Sequence, residues 1–551
     1  MCAKKEEFYA HWVGSHDRLL NAVELSVTDA GLQVKRQLPG ELFSITLSNE
    51  HILHWRLVSW RRQSNCLVKL TYYQRSEQPQ QKPDRLDNKL VLTKQSLSVL
   101  FESEDTAKRF IKVLGSFTTA ARLGRSERKP YLIFINPRSG SGKALKLFRT
   151  QVAPVFQRKG IPFEVIKTKY AGHAEQWVAT CQYTDLLKYR ALIAVSGDGL
   201  IYEIINGLAA RNELESHPPI RLPIGTLPAG GGNAIAGSVC YFSGLSPLEN
   251  YLLHSAFILM HDAPPVRELS KTSEAEMKTN VNNSTCEPSD DLATYQKIVP
   301  LDALLFESAN GKSRRLGVLS IEWGGMADMD VKSEIFRWMG RMRFAVSGFF
   351  TMIRPKRYRA RVAYLPYSSE KKTKLPNSIP ASTNHDDGIQ NATYKKGDTL
   401  DVHTQLPDRL KWQYLPELNH SIPDDWVKVE EDFWSILVMN QTHIANDCLL
   451  FPEPSFNKGY LNLVLIYSGV KPWHLRALSN MMVSGHGLTD TSFWRIIPIV
   501  AIRVEPLSPR SVYTMLDGER VDSGPFQLEL VPELFSILTC PVESPSANKG
   551  D

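Results

Sequence analysis

The chain has 551 residues and carries 65 Lys and Arg against 58 Asp and Glu, a formal net charge of +7. Hydrophobic residues make up 42% and charged residues 22%, ordinary globular values that exclude a wholly disordered, collagen-like or polytopic membrane protein. The charge excess is small for the length: it suits contact with phosphates or an anionic membrane face and is too weak to point to nucleic acid.

Seven cysteines stand at positions 2, 66, 181, 240, 286, 448 and 540, with no Cys-x-x-Cys pair and no Cys/His cluster at zinc spacing. An odd number without local pairing suits free thiols in a reducing compartment, so a cytoplasmic location is expected. The stretch Met1-Cys2-Ala3-Lys4-Lys5-Glu6-Glu7 has no apolar h-region, and a signal peptide is not expected. Cys2 stands where a myristoylated Gly would be, and Asn548-Lys549-Gly550-Asp551 is not a prenylation box. No apolar run reaches the roughly 18 residues that a membrane span needs. The Asn-x-Ser/Thr matches at Asn282, Asn283, Asn391, Asn419 and Asn440 then read as chance.

Residues 1–125 form a first expected unit. Strand-like runs at 32–36, 42–47, 52–59, 66–73, 90–92 and 97–101 alternate with turn-prone stretches. A helix is predicted from Asp105 as N-cap, with Phe110, Ile111, Val113 and Leu114 on one side. Antiparallel strands closed by one helix resemble a pleckstrin-homology-like domain. The tryptophan common in that family's last helix is missing, Phe110 being the nearest aromatic, and a β-rich accessory domain of another kind fits equally well.

The pattern changes at Lys129. Residues 131–135 (Tyr-Leu-Ile-Phe-Ile) are a continuous apolar run, the mark of a buried parallel strand. Strands are predicted at 163–168, 191–195 and 222–226, and helices from about 144, at 172–180 and at 200–208. This alternation predicts a doubly wound, mostly parallel α/β nucleotide-binding domain over residues 128–260, with ligands at the carboxyl ends of its strands. Strand-like runs at 316–323, 358–364, 434–439, 460–467, 500–506 and 527–530, with one helix at 473–482, then predict an antiparallel β-sandwich-like domain over 261–540. Two polar stretches, near 268–294 and 368–425, read as surface inserts.

Three glycine clusters fall at expected strand ends. The first, Asn136-Pro137-Arg138-Ser139-Gly140-Ser141-Gly142-Lys143, offers backbone N–H groups and a helix N-terminus to an anion. It is not a Walker A loop, because Pro137 replaces the first glycine and Ala144 the Ser/Thr. Alone, such a turn is as often just a tight strand-to-helix connection. The second, Ser196-Gly197-Asp198-Gly199, puts a carboxylate beside a backbone open to phosphate; a helix N-cap is the alternative for Asp198. The third is Gly225-Thr226-Leu227-Pro228-Ala229-Gly230-Gly231-Gly232-Asn233.

These clusters resemble the three signatures of the diacylglycerol kinase catalytic fold and, within it, the sphingosine kinase family. Trp323-Gly324-Gly325-Met326-Ala327-Asp328-Met329-Asp330, Ser333-Glu334, Arg341-Met342-Arg343-Phe344 and Asp517-Gly518-Glu519 are similar to that family's lipid domain. The motifs are collinear from about residue 130 to about 520; the N-terminal unit and the two inserts lie outside them. The resemblance implies an ATP-dependent kinase acting on a sphingoid base. It places Asn136, Arg138, Ser139, Gly140, Thr168, Ser196, Gly197, Gly199, Gly230 and Gly231 around ATP. Arg337 and Arg343 match arginines that reach phosphate, which suits the guanidinium fork; a solvated helix face with Glu334 as partner is the alternative. Glu203, Asp517 and Glu519, with Gly518 in the turn between the last two, match residues that hold Mg²⁺ or its waters, without saying which of the acids touches the metal. Gly231 departs from the family, which usually carries Ser there; one lost hydroxyl hydrogen bond is worth about 1 kcal/mol.

By the same resemblance Asp198 is the general base. An ordinary Asp, with a pKa of about 3.9, cannot strip an alcohol in advance. The loose transition state of phosphoryl transfer lets the proton leave late, so a carboxylate that orients the hydroxyl suffices. On the acceptor side Asp330, amid Trp323, Met326, Met329 and Phe336, matches the contact to the sphingoid head, with Ser320 assisting. A long-chain base brings an ammonium that would pair a carboxylate in apolar surroundings. A salt bridge to Lys332 is the alternative for Asp330. Phe344, Leu478, Met481 and His486 match the lipid sleeve, with Leu475 and Met482 at the same helical spacing. Phe349, Phe350, Met352 and Ile353 beside Arg354, Lys356, Arg357, Arg359 and Arg361 read either as an anionic-membrane patch or as a strand with alternating outward charge. Peripheral recruitment to membranes is expected, and a homodimer is left open. A ceramide or diacylglycerol kinase is the second enzymatic reading, and a catalytically weak membrane adaptor is the reading from another class.

Overall fold

The computed structural model describes residues 5–13, 19–28, 31–38, 41–48, 52–59, 66–76, 91–123, 129–211, 222–260, 297–308, 314–333, 355–368, 410–507 and 512–540. The expected insert at 268–294, residues 369–409 of the second insert, and Arg337, Arg343 and Phe344 lie outside them. Among the described residues no helix is long and apolar enough to cross a membrane.

The N-terminal unit is a seven-stranded antiparallel sheet. Its order is Glu41–Ser48, Gly31–Leu38, Leu19–Thr28, Glu6–Val13, Val91–Phe101, Cys66–Ser76 and Ile52–Ser59. The first and last strands in sequence meet in the middle, His11 opposite Leu100. Helix Glu104–Leu123 follows, and Phe110 is buried with its ring 5.3 Å from that of Phe8 and 5.1 Å from that of Phe101. Its start differs from expectation. Ser103, not Asp105, caps it, its hydroxyl accepting the Thr106 N–H at 3.1 Å. Two strands that sequence reading passed over, Glu6–Val13 and Leu19–Thr28, carry charged residues beside their apolar ones.

The parallel sheet runs in the order Phe163–Lys167, Tyr131–Ile135, Ala191–Ser196, Ile224–Pro228. Every residue of the three inner strands is buried, as a parallel sheet covered on both faces requires. Helices His173–Thr180 and Asp198–Ala209 pack closely where Gly207 has no side chain; a Cβ there would come 2.6 Å from the Glu175 carbonyl oxygen.

The second domain is not a separate sheet. Its last strand, Phe526–Thr539, pairs antiparallel with Lys297–Ser308 and Trp494–Pro506, and Ile537 lies parallel to Ile224 of the nucleotide sheet. One strand thus joins the antiparallel and parallel halves. Val427–Met439 and Trp494–Pro506 each pair with Tyr358–Pro366 along one half and with Leu461–Tyr467 along the other. The sheet therefore curls around a second core that includes Trp323, Phe433, Ile502 and Phe526.

The polar continuation at 410–425 is not a loose loop. The Glu529 carboxylate accepts the N–H groups of Gln413, Tyr414 and Leu415, and the Arg503 guanidinium donates to the carbonyls of Pro416, Glu417 and His420. Of the basic run, Arg359 and Arg361 carry outward charge on a strand, while Phe349, Phe350, Met352, Ile353 and Arg354 lie outside the described residues. Arg359 and Arg361 lie 3.2 and 3.0 Å from Glu430, and Arg361 lies 3.1 Å from Glu505.

Candidate active site

The three glycine turns stand side by side at the carboxyl ends of Tyr131–Ile135, Ala191–Ser196 and Ile224–Pro228. They touch through main chain. A Cβ on Gly230 would collide with the backbone of Gly197, and one on Gly197 would sit 2.7 Å from the Gly232 carbonyl oxygen. Gly140 has φ +56°, and a Cβ there would lie 2.8 Å from the Ala229 carbonyl oxygen. Side chains then fix the turns. The Ser196 hydroxyl donates to that of Ser139 at 2.9 Å, Asn136 Oδ1 accepts the Arg138 N–H at 3.0 Å, and Asn233 Oδ1 accepts the Gly230 N–H at 3.0 Å. Gly231 is half-buried beside Gly230. Thr168 is buried next to the first turn, its N–H on the Ile135 carbonyl at 2.9 Å.

Asp198 is the first residue of its helix, and its side chain reaches another. It accepts the N–H groups of Ala234 at 2.8 Å and Ile235 at 3.0 Å, amides at the start of Ala234–Phe242 that have no acceptor within their own helix. Asn233, the N-cap of that helix, provides no side-chain cap of its own. Asp198 therefore caps from across the sheet and ties the second turn to the third. Burial pushes its pKa upward, and the two amides oppose that shift. Each oxygen accepts one of these bonds and keeps a second lone pair.

The other acids differ in what they hold. Glu203 accepts the Ala174 N–H at 2.9 Å and so fixes the start of helix His173–Thr180, just past Thr168. Asp517 departs from its expected role at a metal. Buried, and with φ +52°, it accepts the N–H groups of Val318 at 2.7 Å, Leu319 at 2.9 Å and Ser320 at 3.0 Å. Burial pushes its pKa up to about 7, against the pull of these amides. The amides belong to the break between strands Arg315–Gly317 and Ser320–Gly324, which the sequence had suggested was one strand. Gly518, at φ +79°, completes the turn. Glu519 is exposed, and its carboxylate lies against Gly199, where a Cβ would strike it. The second glycine turn and the Asp517–Glu519 turn thus meet.

Ser320 is 1% exposed, and its Oγ has no hydrogen-bond partner. Asp330 is half-buried on helix Gly325–Ser333. Lys332 pairs with Asp328 at 3.3 Å, and Lys356 with the same carboxylate at 2.7 Å. On helix Pro472–Ser484, Leu475 and Leu478 are buried, and Met481 and Met482 half-buried against the main apolar cluster. His486 is exposed just past that helix, contrary to its expected place in an apolar sleeve.

Residues 130–253 match the family model of the diacylglycerol kinase catalytic domain. A rat protein named sphingosine kinase 1 is 30% identical over 419 residues, 75% of this chain and 92% of its own length. The chain belongs to the sphingosine kinase family. Human sphingosine kinase 2 is similar at 26% identity over 512 residues, covering 75% of this chain and 71% of its own. A solved structure titled a putative diacylglycerol kinase from Bacillus anthracis covers 75% of this chain and 97% of its own, at 14% identity and a TM-score of 0.44. As a member of the sphingosine kinase family the chain is a lipid kinase, a phosphotransferase with an alcohol group as acceptor, and it uses ATP.

Sequence reading missed two features of this sphingosine kinase family member. One is a buried ion pair: Arg315 donates to Glu175 at 2.7 and 2.9 Å and to the Tyr202 hydroxyl at 3.2 Å, fastening strand Arg315–Gly317 to helices His173–Thr180 and Asp198–Ala209. No local pattern announces it. The other is Glu322, buried two residues after Ser320. Strand alternation was signal enough to put both on one face.

Proposed function

We propose that the chain transfers the γ-phosphoryl group of ATP to the primary hydroxyl of sphingosine and related sphingoid bases, giving the 1-phosphate. The observation that carries this reading is the Asp198 carboxylate, held on two amides at the junction of the glycine turns, with one lone pair left on each oxygen. Asp198 orients the hydroxyl toward the γ-phosphate and accepts its proton as the new P–O bond forms. The amides of Gly140 and Ser141 in the first turn carry the phosphates, and Ser139, held by Ser196, keeps that turn in place. Asp330 takes the ammonium, and Ser320 offers its unpartnered hydroxyl to the head. The apolar side chains Leu475, Leu478, Met481 and Met482 line the tail's path.

Mg²⁺ fits the donors with a restriction. Asp517 and Glu203 are committed to backbone amides, and the Glu519 carboxylate stands beside Gly199. Among the described residues no group of three His, Cys, Asp or Glu could hold a metal. That suits an ion that arrives on the phosphates and takes one carboxylate, its waters filling the remainder. Bound there, it would supply charge neutralisation at the phosphates.

The test is purified protein with labelled ATP and Mg²⁺, offered sphingosine, ceramide and diacylglycerol in parallel on neutral and anionic vesicles. Label should enter sphingosine alone, faster on the anionic vesicles, as peripheral recruitment requires. Equal labelling of ceramide or diacylglycerol would reject the acceptor, and no labelling at all would leave the adaptor reading.

A further inference from the structure

Strand Ser320–Gly324 has two unlike faces. Ile321 and Trp323 point into the second core, among Phe433, Ile436 and Leu516. Ser320 and Glu322 point the other way. Directly across the ladder, Met439 stands opposite Ser320, and Leu437 and Met515 stand opposite Glu322. Leu437 and Met439 belong to the apolar cluster that contains Leu475 and Leu478 of helix Pro472–Ser484. A carboxylate on this face is out of place in a core, where an aliphatic side chain would pack better.

Glu322 is 8% exposed, and no described residue pairs with it. The charged groups near it are acids or are already paired. Asp330, on helix Gly325–Ser333, is close enough to raise the Glu322 pKa, together with burial, toward the neutral form. Asp328 on the same helix is neutralised by Lys356 and Lys332. Asp517, across the ladder from the same strand, is committed to the three amides that lead into Ser320. The second observation is Ser320: a buried hydroxyl, without a partner, on the same strand face two residues away. A buried hydroxyl and a buried acid that both lack partners are supplied at once by a ligand with an ammonium beside hydroxyls.

We infer that Glu322 is a specificity-determining residue of the acceptor site: with Asp330 it receives the ammonium of the sphingoid base, and so discriminates against acceptors whose nitrogen is acylated or absent. This rests on the sphingoid-base reading above and adds to it a second carboxylate that no motif carried. Asp330 alone would balance the cation's charge. Glu322 adds hydrogen-bond acceptors on the strand face that carries the Ser320 hydroxyl.

The experiment measures steady-state kinetics of the full chain and of its Glu322→Gln, Glu322→Leu and Asp330→Asn variants. Two acceptors of equal chain length are used, a sphingoid base and its uncharged 1,3-diol analogue, with thermal melting of each variant alongside. Glu322→Gln should raise KM for the base about tenfold, with kcat changed less than about twofold, and leave KM for the diol unchanged or lower. Glu322→Leu should do the same, with no loss of melting temperature, since a buried carboxyl is removed. KM unchanged for the base, or raised equally for both acceptors, would overturn the inference. If Asp330→Asn also leaves the base's KM unchanged, the acceptor reading itself fails. If Asp330→Asn raises it and Glu322→Gln does not, only the role of Glu322 fails.

Discussion

The nucleotide side and the acceptor side of this protein are built from different materials. On the nucleotide side the groups proposed to recognise ATP are main chain: three turns whose glycines let backbones touch, with Asp198 bridging the last two. On the proposed acceptor side they would be side chains on a strand and a helix, Ser320, Glu322 and Asp330, in an apolar setting. A triphosphate is met by fixed N–H dipoles whatever it is attached to, whereas a head group is told from its relatives by individual carboxyls. The first region has no room for a Cβ at Gly140, Gly197 or Gly230; the second should tolerate changes that alter only which lipid is used.

The largest expected effect falls on the joint between the two regions. Arg315→Met leaves Glu175 charged and buried, and should cost about 3–5 kcal/mol in denaturant unfolding. A loss below 1 kcal/mol would mean that the domains are held by packing alone. On the nucleotide side, Gly230→Ala forces a methyl group into the Gly197 backbone, and kcat/KM should fall by about 100-fold, or about 2.7 kcal/mol. Near-normal activity would show that the turns can part, and that backbone contact is not what shapes the phosphate site.

Asp517→Asn tests the carboxylate that holds the break between strands Arg315–Gly317 and Ser320–Gly324. Its amide cannot accept all three N–H groups, and the loss should be roughly 2 kcal/mol at pH 5. Because the folded protein holds the Asp517 proton up to about pH 7, against an ordinary 3.8, the stability this group contributes is full at low pH and is lost as pH rises through that window. Asparagine lacks this slope, so the difference between wild type and variant should shrink toward pH 7.5. A difference that widens with pH would contradict the assignment.

The same contrast explains what could be read in advance. Glycine turns at strand ends are local in sequence, so Asn136–Lys143, Ser196–Gly199 and the Gly230 turn were legible with their strands and helices. The acceptor side depends on partners far along the chain. Strand 316–323 breaks at Val318 and Leu319 because Asp517 takes their amides, and segment 410–425 is ordered by Arg503 and Glu529. No pattern near those residues carries that information. The motif around Asp517 left open which of Glu203, Asp517 and Glu519 meets the metal, because it gave no sign of the three amides on the Asp517 carboxylate. Glu322 was passed over although alternation from Ser320 placed it, since a single acid in an apolar strand resembles an exposed edge position.

The central claim is that Asp198 steers the acceptor hydroxyl while the turns around it hold ATP. It is tested most directly by Asp198→Asn, with ATP affinity measured by equilibrium binding and sphingosine phosphorylation by single-turnover assay. Asparagine can still accept one helix amide, so ATP should bind within about threefold of wild type while phosphoryl transfer falls at least about 100-fold. Transfer at a near-normal rate, or a loss that follows ATP binding alone, would contradict the account.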